Sequence, residues 1–210
     1  MLASLLKGNT RFVHNVFQRN PRVFGSLSKA QMPKALWVGC SDSRLVAELV
    51  TSSLPGSFYA LRTYGNTVVP NDASVGSVLE YSLEDLSVKL LVVSGHYACS
   101  GVRELFNERK GHLGVLLKNL QPPRQALEKC LSRKKMHLPD KEMMKLLVEA
   151  NVLHQIRNLS SYNVVGSALS DGVEIAGLVY DEETGKLHSD FPELRKHALL
   201  EDVKNSLKRE

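Results

Sequence analysis

The sequence predicts an α/β fold in which helices flank a mainly parallel central sheet, preceded by an N-terminal helical arm. Short apolar runs alternate along the chain with stretches that place apolar residues at helical spacing. The order strand, helix, strand, helix, strand implies right-handed crossovers, which join parallel strands. The 210 residues contain no internal repeat and no linker-like segment, so we predict a single domain over residues 1–210.

The predicted arm covers residues 1–30. Apolar residues recur there near helical spacing, with a break at Gly8-Asn9 and a further short helical piece that begins at Pro21. The apolar face of such an arm has no partner within the arm itself. We therefore expect it to pack on the domain or on a second subunit.

The remaining elements are predicted from periodicity and from turn residues. Pro55-Gly56 separates a helix from a strand, and Asp72 or Ser74 can cap the helix that follows. The predicted order is strand 35–39, helix 45–54, strand 58–61, helix 75–86, strand 90–94, broken helices 107–138, helix 140–159, strand 173–180, a turn at 181–187 into another strand or an extended tail, and a charged helix 193–210 at the surface.

The composition is that of an ordinary globular protein, with 43% hydrophobic and 23% charged residues. No apolar run approaches the roughly 20 residues that span a bilayer, so no membrane partner is predicted. The net charge is +5, but the basic residues are dispersed and have few aromatic neighbours, so no nucleic-acid partner is predicted. The N-terminus lacks the pattern of a secretory signal, which predicts a cytoplasmic protein. The basic residues that precede Asp42 leave organelle targeting as an alternative.

Two predicted strands are each followed by side chains that bind metals. Strand 35–39 leads into Cys-Ser-Asp-Ser-Arg at 40–44, and strand 90–94 leads into Gly-His-Tyr-Ala-Cys at 95–99. Ligands in open parallel sheets collect beyond the carboxyl ends of the strands. If the two strands are neighbours, Cys40, Asp42, His96 and Cys99 converge. Two thiolates, an imidazole and a carboxylate suit a four-coordinate Zn²⁺ ion, so we predict a zinc site.

Asp42 is predicted to be a movable ligand. The guanidinium of Arg44 can take the same carboxylate in a bidentate pair, and the fourth metal position then opens to water. The alternative is that Asp42 only caps a helix and that Arg44 forms a surface ion pair. The third cysteine, Cys130, lies in a helical stretch without other ligands, and we expect it to be a buried apolar residue.

The two metal motifs, with several residues between and after them, resemble those of the β-class carbonic anhydrases. The resemblance runs from about 31 to 102 and resumes at 151–155 and 179–187. The residues that carry it include Cys40 to Arg44, Pro55-Gly56, Arg62, Asn66, Ser77 to Tyr81, Lys89, Gly95 to Gly101, Asn151 and Gln155. It implies Zn²⁺ on Cys40, His96 and Cys99, gating by Asp42 and Arg44, and hydration of carbon dioxide to bicarbonate and a proton by zinc-bound hydroxide.

The resemblance also implies binding residues around the metal. Gln31, Tyr59, Tyr81 and Gly101 match the substrate side of the site, with core packing as the alternative for both tyrosines. Trp37, Arg62 and Tyr180 match a second, regulatory bicarbonate site that some members have; core packing of Trp37 and an ion pair of Arg62 are the alternatives.

The resemblance further implies a homodimer or a larger oligomer in which the arm wraps around the partner. From the residue pattern we divide the predicted domain into a helical arm 1–30, a zinc core 31–106, a variable helical region 107–138 and a C-terminal helix and strand region 139–210. Thr63-Tyr64-Gly65 and Ala98 depart from the usual family pattern near the pocket. Two alternatives therefore stay open: hydrolysis of carbonyl sulfide or carbon disulfide on the same scaffold, and a non-catalytic protein that binds zinc and bicarbonate.

Overall fold

The fold is built on a five-stranded sheet with the strand order β2-β1-β3-β4-β5. The computed structural model describes residues 1–208. The first four strands in this order are parallel, and β5 is antiparallel to β4. The strands are β1 Ala35–Cys40, β2 Phe58–Thr63, β3 Leu90–His96, β4 Glu174–Asp181 and β5 Lys186–His188. The predicted fold class is confirmed, and β1 and β3 are neighbours, as the metal hypothesis requires.

Helices join the strands and cover the sheet. The helices are α1 Leu2–Phe12, α2 Pro21–Leu27, α3 Ala47–Val50, α4 Ala73–Glu80, α5 Ser100–Arg103, α6 Gly111–Lys118, α7 Gln121–Lys134, α8 Asp140–Ser160, α9 Asn163–Ser170, α10 Pro192–Lys196 and α11 Leu200–Leu207. Asp72 caps α4 by accepting hydrogen bonds from the backbone N–H groups of Ser74 and Val75, as the sequence predicts. Among residues 1–208, no helix is long and apolar enough to cross a membrane.

Two predicted helix boundaries are wrong. The helix predicted over 45–54 shrinks to α3, because Val46 is extended and the left-handed backbone of Ser52 ends the helical conformation. The break predicted at Gly8-Asn9 is absent, and α1 runs through both residues. A glycine destabilises a helix by only about 1 kcal/mol relative to alanine, so α1 can continue through Gly8.

The largest hydrophobic core lies on the side of the sheet that α8 covers. Leu146, Leu147 and Val152 of α8 are fully buried against the sheet. Gly95 permits this close approach, because a Cβ atom there would lie 2.7 Å from a methyl group of Val152. His96 is the last residue of β3, so the packing of α8 against Gly95 positions the end of the strand that carries this side chain.

The C-terminal segment is part of the core, so the predicted surface position is wrong. Leu194, Leu199 and Val203 are fully buried, and α11 packs against α7. The apolar residues at 199, 203 and 207 form one stripe at helical spacing, which the high proportion of charged residues concealed. The buried carboxylate of Glu149 accepts hydrogen bonds from the backbone N–H groups of Glu193 and Leu194, and so holds α10 on α8. Residues 209–210 of the predicted helix lie outside the described residues.

The N-terminal arm contributes nothing to this core. None of the residues of α1 or α2 is buried, and Leu2, Leu5 and Leu6 are each exposed by 60% or more. Phe12, Phe17 and Phe24 pack on one another where the arm folds back, with Phe17 and Phe24 stacked 4.8 Å apart. The apolar face of α1 is therefore open to solvent in the isolated chain.

Candidate metal centre

Three buried side chains converge where β1 and β3 end. Cys40 is the last residue of β1, His96 is the last residue of β3, and Cys99 directly precedes α5. One ligand atom from each lies within 4.8 Å of the other two. Parallel pairing of β1 with β3 brings the two strand ends to the same edge of the sheet, so this convergence follows from the topology.

The geometry of this group fits a zinc ion. Two sulfurs bound tetrahedrally at 2.3 Å from zinc are expected to lie about 3.8 Å apart. The Sγ atoms of Cys40 and Cys99 are separated by 4.0 Å. The Nε2 atom of His96 is buried and has no hydrogen-bond partner among the described residues, and a metal would satisfy it. We conclude that Cys40, His96 and Cys99 can hold a metal.

The electrostatics of the group favour a cation. A hydrogen bond from the Cys99 thiol lowers the pKa of Cys40 to about 4, and the same interaction, with burial, raises the pKa of Cys99. Burial alone would lower the pKa of His96, but the neighbouring sulfur of Cys40 and the carboxylate of Glu182 favour the charged ring and raise that pKa to about 9. Positive charge is therefore stabilised at this position, as a metal-binding site requires.

Asp42, the fourth predicted ligand, is held by Arg44. The guanidinium donates from Nε to Oδ1 at 2.9 Å and from Nη2 to Oδ2 at 2.7 Å. This bidentate pair holds the pKa of Asp42 well below its usual range. The carboxylate still lies at the edge of the group, with Oδ2 3.9 Å from Nε2 of His96. The structure thus brings three of the four predicted ligands together and places the fourth beside them.

The predicted substrate-side residues lie in two places. Gln31 donates from Nε2 to the hydroxyl of Tyr81 at 3.3 Å, and the rings of Tyr81 and Tyr59 lie 5.8 Å apart. Gly101 has a different environment, because a Cβ atom there would lie 2.8 Å from the Cα atom of Gly65. A glycine is therefore needed at position 101 so that the backbone can pack closely on that of Gly65. The binding roles of these residues stay predictions.

The three residues of the predicted regulatory site share one face of the sheet. Trp37 is buried in a small cluster on that face and packs on Phe58, with ring centroids 5.3 Å apart. Arg62 lies on the same face as Phe58, and Tyr180 lies on the same face as Leu178 of this cluster, by strand alternation. The guanidinium of Arg62 donates to the backbone carbonyls of Cys40 and Asp42. It therefore fixes the loop that carries these ligands.

Sequence reasoning missed the role of a ladder of amide side chains on α8. Asn151 donates to the carbonyl of Gly65 at 3.1 Å, Gln155 accepts from the N–H of Val68 at 2.8 Å, and Asn158 donates to the carbonyl of Val68 at 2.9 Å. The ladder holds the loop that follows β2, next to the end of β1. The sequence feature that could have indicated this ladder is the spacing of the three amides, four and three residues apart on the apolar side of a helix.

Sequence reasoning also missed Glu182, which follows β4. Its carboxylate lies 2.6 Å from Nδ1 of His96. No local motif marks it, because this contact depends on the pairing of β3 with β4, which sets His96 beside Tyr180.

The fold and the ligand group define a class: an α/β protein with a metal site at the ends of parallel strands. The sequence profile of the carbonic anhydrases matches residues 35–187. The carbonic anhydrase of Pseudomonas aeruginosa is 29% identical over 194 residues, which cover 89% of this chain and 86% of that protein. The chain belongs to the β-carbonic anhydrase family, which confirms the resemblance predicted from the motifs.

Two solved fungal structures show how far the similarity extends. A β-carbonic anhydrase of Aspergillus fumigatus has a TM-score of 0.82 and 31% identity, and the match covers 99% of this chain and 97% of that one. A tetrameric β-carbonic anhydrase of Sordaria macrospora also has a TM-score of 0.82, with 28% identity over 90% of this chain and 96% of that one. The match to the Aspergillus enzyme includes the N-terminal arm.

Proposed function

We propose that this protein is a zinc-dependent carbonic anhydrase that hydrates carbon dioxide reversibly to bicarbonate and a proton. The observation that carries the proposal is the ligand group of Cys40, His96 and Cys99, beside which Arg44 holds the carboxylate of Asp42. Three protein ligands with a free fourth position are typical of catalytic zinc sites, whereas structural sites are closed by four.

The residues around the ligands have defined tasks in this proposal. A bound Zn²⁺ ion supplies the Lewis acidity that makes water a nucleophile near neutral pH. Asp42 stays ionised because of Arg44, so it can accept a hydrogen bond and orient the nucleophile beside His96. The rings of Tyr59 and Tyr81 are proposed to form an apolar surface that carbon dioxide contacts. The amide of Gln31 is proposed to donate a hydrogen bond to an oxygen atom of bicarbonate. Trp37, Arg62 and Tyr180 are proposed to bind a second, regulatory bicarbonate.

The proposal predicts that the purified chain contains about one zinc ion per subunit and hydrates carbon dioxide. Zinc content is measured by elemental analysis, and hydration by stopped flow with a pH indicator at two pH values. Carbonyl sulfide and carbon disulfide are run in parallel. Hydrolysis of either without carbon dioxide hydration would contradict the proposal in favour of the hydrolase alternative. Bound zinc with no turnover of any of the three would favour the non-catalytic alternative.

We further infer that the protein forms a homodimer or a larger oligomer through its arm. The support is the exposed apolar face of α1, and the solved Sordaria relative is tetrameric. Exposure of several leucines on one helix face is unfavourable by roughly 25 cal/mol per Å2 of apolar surface, and a second subunit would remove it from water.

The arm is tested with the full chain by sedimentation velocity. We expect the double substitution Leu5→Ser and Leu6→Ser to shift the protein toward monomer, because each removes an exposed apolar side chain from the face of α1. The control carries Lys7→Ser and Arg11→Ser, two exposed residues on the opposite face of the same helix, and is expected to sediment like the unchanged chain. A stable, active monomer of the unchanged chain would contradict the inference.

A further inference from the structure

Glu182 touches the metal-ligand group from outside. It is the first residue after β4, and its side chain is 17% exposed. Its Oε1 atom lies 2.6 Å from Nδ1 of His96. The backbone N–H of Ala98 donates to both carboxylate oxygens, at 3.1 and 3.2 Å. The carboxylate is therefore anchored at the centre of the turn that carries His96 and Cys99.

This arrangement decides which nitrogen of His96 is available to a metal. A carboxylate only accepts, so Nδ1 must carry the proton and donate it to Glu182. In the neutral ring that binds a metal, the lone pair is then on the other nitrogen, Nε2, and this is the buried atom without a hydrogen-bond partner among the described residues. Fixing the tautomer and the plane of the ring prepares the imidazole before any metal arrives, and a carboxylate partner makes it a stronger donor.

Other partners of Glu182 explain its position less well. Its nearest cation is Arg44, whose Nη2 atom lies 4.0 Å from Oε1, at the limit of an ion pair. The adjacent Glu183 shows what a surface glutamate does here: its side chain is 65% exposed and pairs with Lys141 at 2.8 Å. The short contact to His96 is thus the main interaction of the Glu182 side chain with another side chain.

We propose that Glu182 is a positioning residue that orients His96 and strengthens zinc binding. This inference rests on the proposed zinc site. Outer carboxylate partners of metal-ligating histidines typically contribute 10–100-fold in metal affinity. Glu182 also holds the backbone of Ala98, between two of the ligands, so its loss is expected to loosen the turn as well as the ring.

The test measures zinc affinity of the apoprotein by competition with a chromophoric chelator, and the absorption spectrum after substitution by Co²⁺. We expect Glu182→Ala to weaken zinc binding by roughly 10–100-fold and to shift the Co²⁺ ligand-field bands, because His96 loses its orientation. Glu182→Gln retains an acceptor oxygen for Nδ1 and is expected to recover part of the affinity. It also keeps the shape of the side chain, which guards against a loss caused only by misfolding.

The control is Glu183→Ala, which removes the neighbouring carboxylate and is expected to match the unchanged chain in zinc affinity and Co²⁺ spectrum. If the unchanged chain binds zinc tightly and Glu182→Ala matches it in both measurements, the inference is overturned while the proposed function stands. If the unchanged chain itself binds no zinc, the proposed function fails and this inference fails with it.

Discussion

Replacing Cys40 by serine is expected to abolish zinc binding and to lower carbon dioxide hydration by roughly 10³-fold or more, since the Lewis acid is lost. The substitution exchanges one atom, sulfur for oxygen, in a buried position. A serine hydroxyl is a poor ligand for zinc compared with a thiolate. Only His96 and Cys99 would then remain of the converging group. Zinc content and stopped-flow hydration on the same sample measure both losses.

The matched control for this prediction is Cys130→Ser. Cys130 is as deeply buried as Cys40, so burial of a serine hydroxyl costs about 1–3 kcal/mol at either position. Cys130 lies in α7 and is not part of the ligand group. We expect this control to lose thermal stability but to retain zinc and specific activity. Equal activity of the Cys40 and Cys130 variants would mean that the thiolate of Cys40 is not a ligand.

The convergence of the ligands could be predicted because it depends on two simple patterns. Cys40 and His96 each follow a short apolar run, and strands that alternate with helices pair in parallel. Placing the ends of β1 and β3 side by side then needs no knowledge of side-chain packing. The same reasoning located Arg44 beside Asp42, since two residues in one turn remain neighbours in any fold.

Contacts between distant parts of the chain could not be predicted in this way. Glu182 reaches His96 across 86 positions of sequence, and only the register between β3 and β4 brings them together. The burial of the C-terminal segment likewise depends on contacts with α7 and with the carboxylate of Glu149, both of which lie far from it in sequence. A charged segment with a narrow apolar stripe looks like a surface helix until the groove that accepts it is known.

Which partner the carboxylate of Asp42 binds, Arg44 or a metal, decides whether the fourth metal position is open. In the structure its carboxylate is bound by Arg44, which favours an open fourth metal position. The sequence predicted both states, the carboxylate on the metal and the carboxylate on Arg44, because either partner satisfies it. Metal binding by Asp42 stays a prediction, and the two partners must differ little in free energy if the residue is to move between them.

Substitution of Asp42 or Arg44 by alanine is therefore expected to lower hydration by roughly 10²–10³-fold while zinc is retained, as for the loss of a pre-organised polar group in other active sites. Asp42→Ala removes the acceptor that orients the nucleophile. Arg44→Ala frees the carboxylate, which lies beside His96 and would be free to bind a metal held there and close the fourth position. Zinc retention follows because Cys40, His96 and Cys99 are unchanged in both variants.

The two variants can be distinguished by the effect of a second substitution. If Arg44→Ala is inactive because Asp42 blocks the metal, then Asp42→Ala in the same chain removes the blocking group, and the double variant is expected to be no less active than Arg44→Ala alone. Independent contributions would instead multiply the two losses. Lys141→Ala serves as the control, because it removes a cation whose ion pair among residues 1–208 is with the exposed Glu183. Full activity of both single variants would show that the pair of Asp42 and Arg44 does not gate the site.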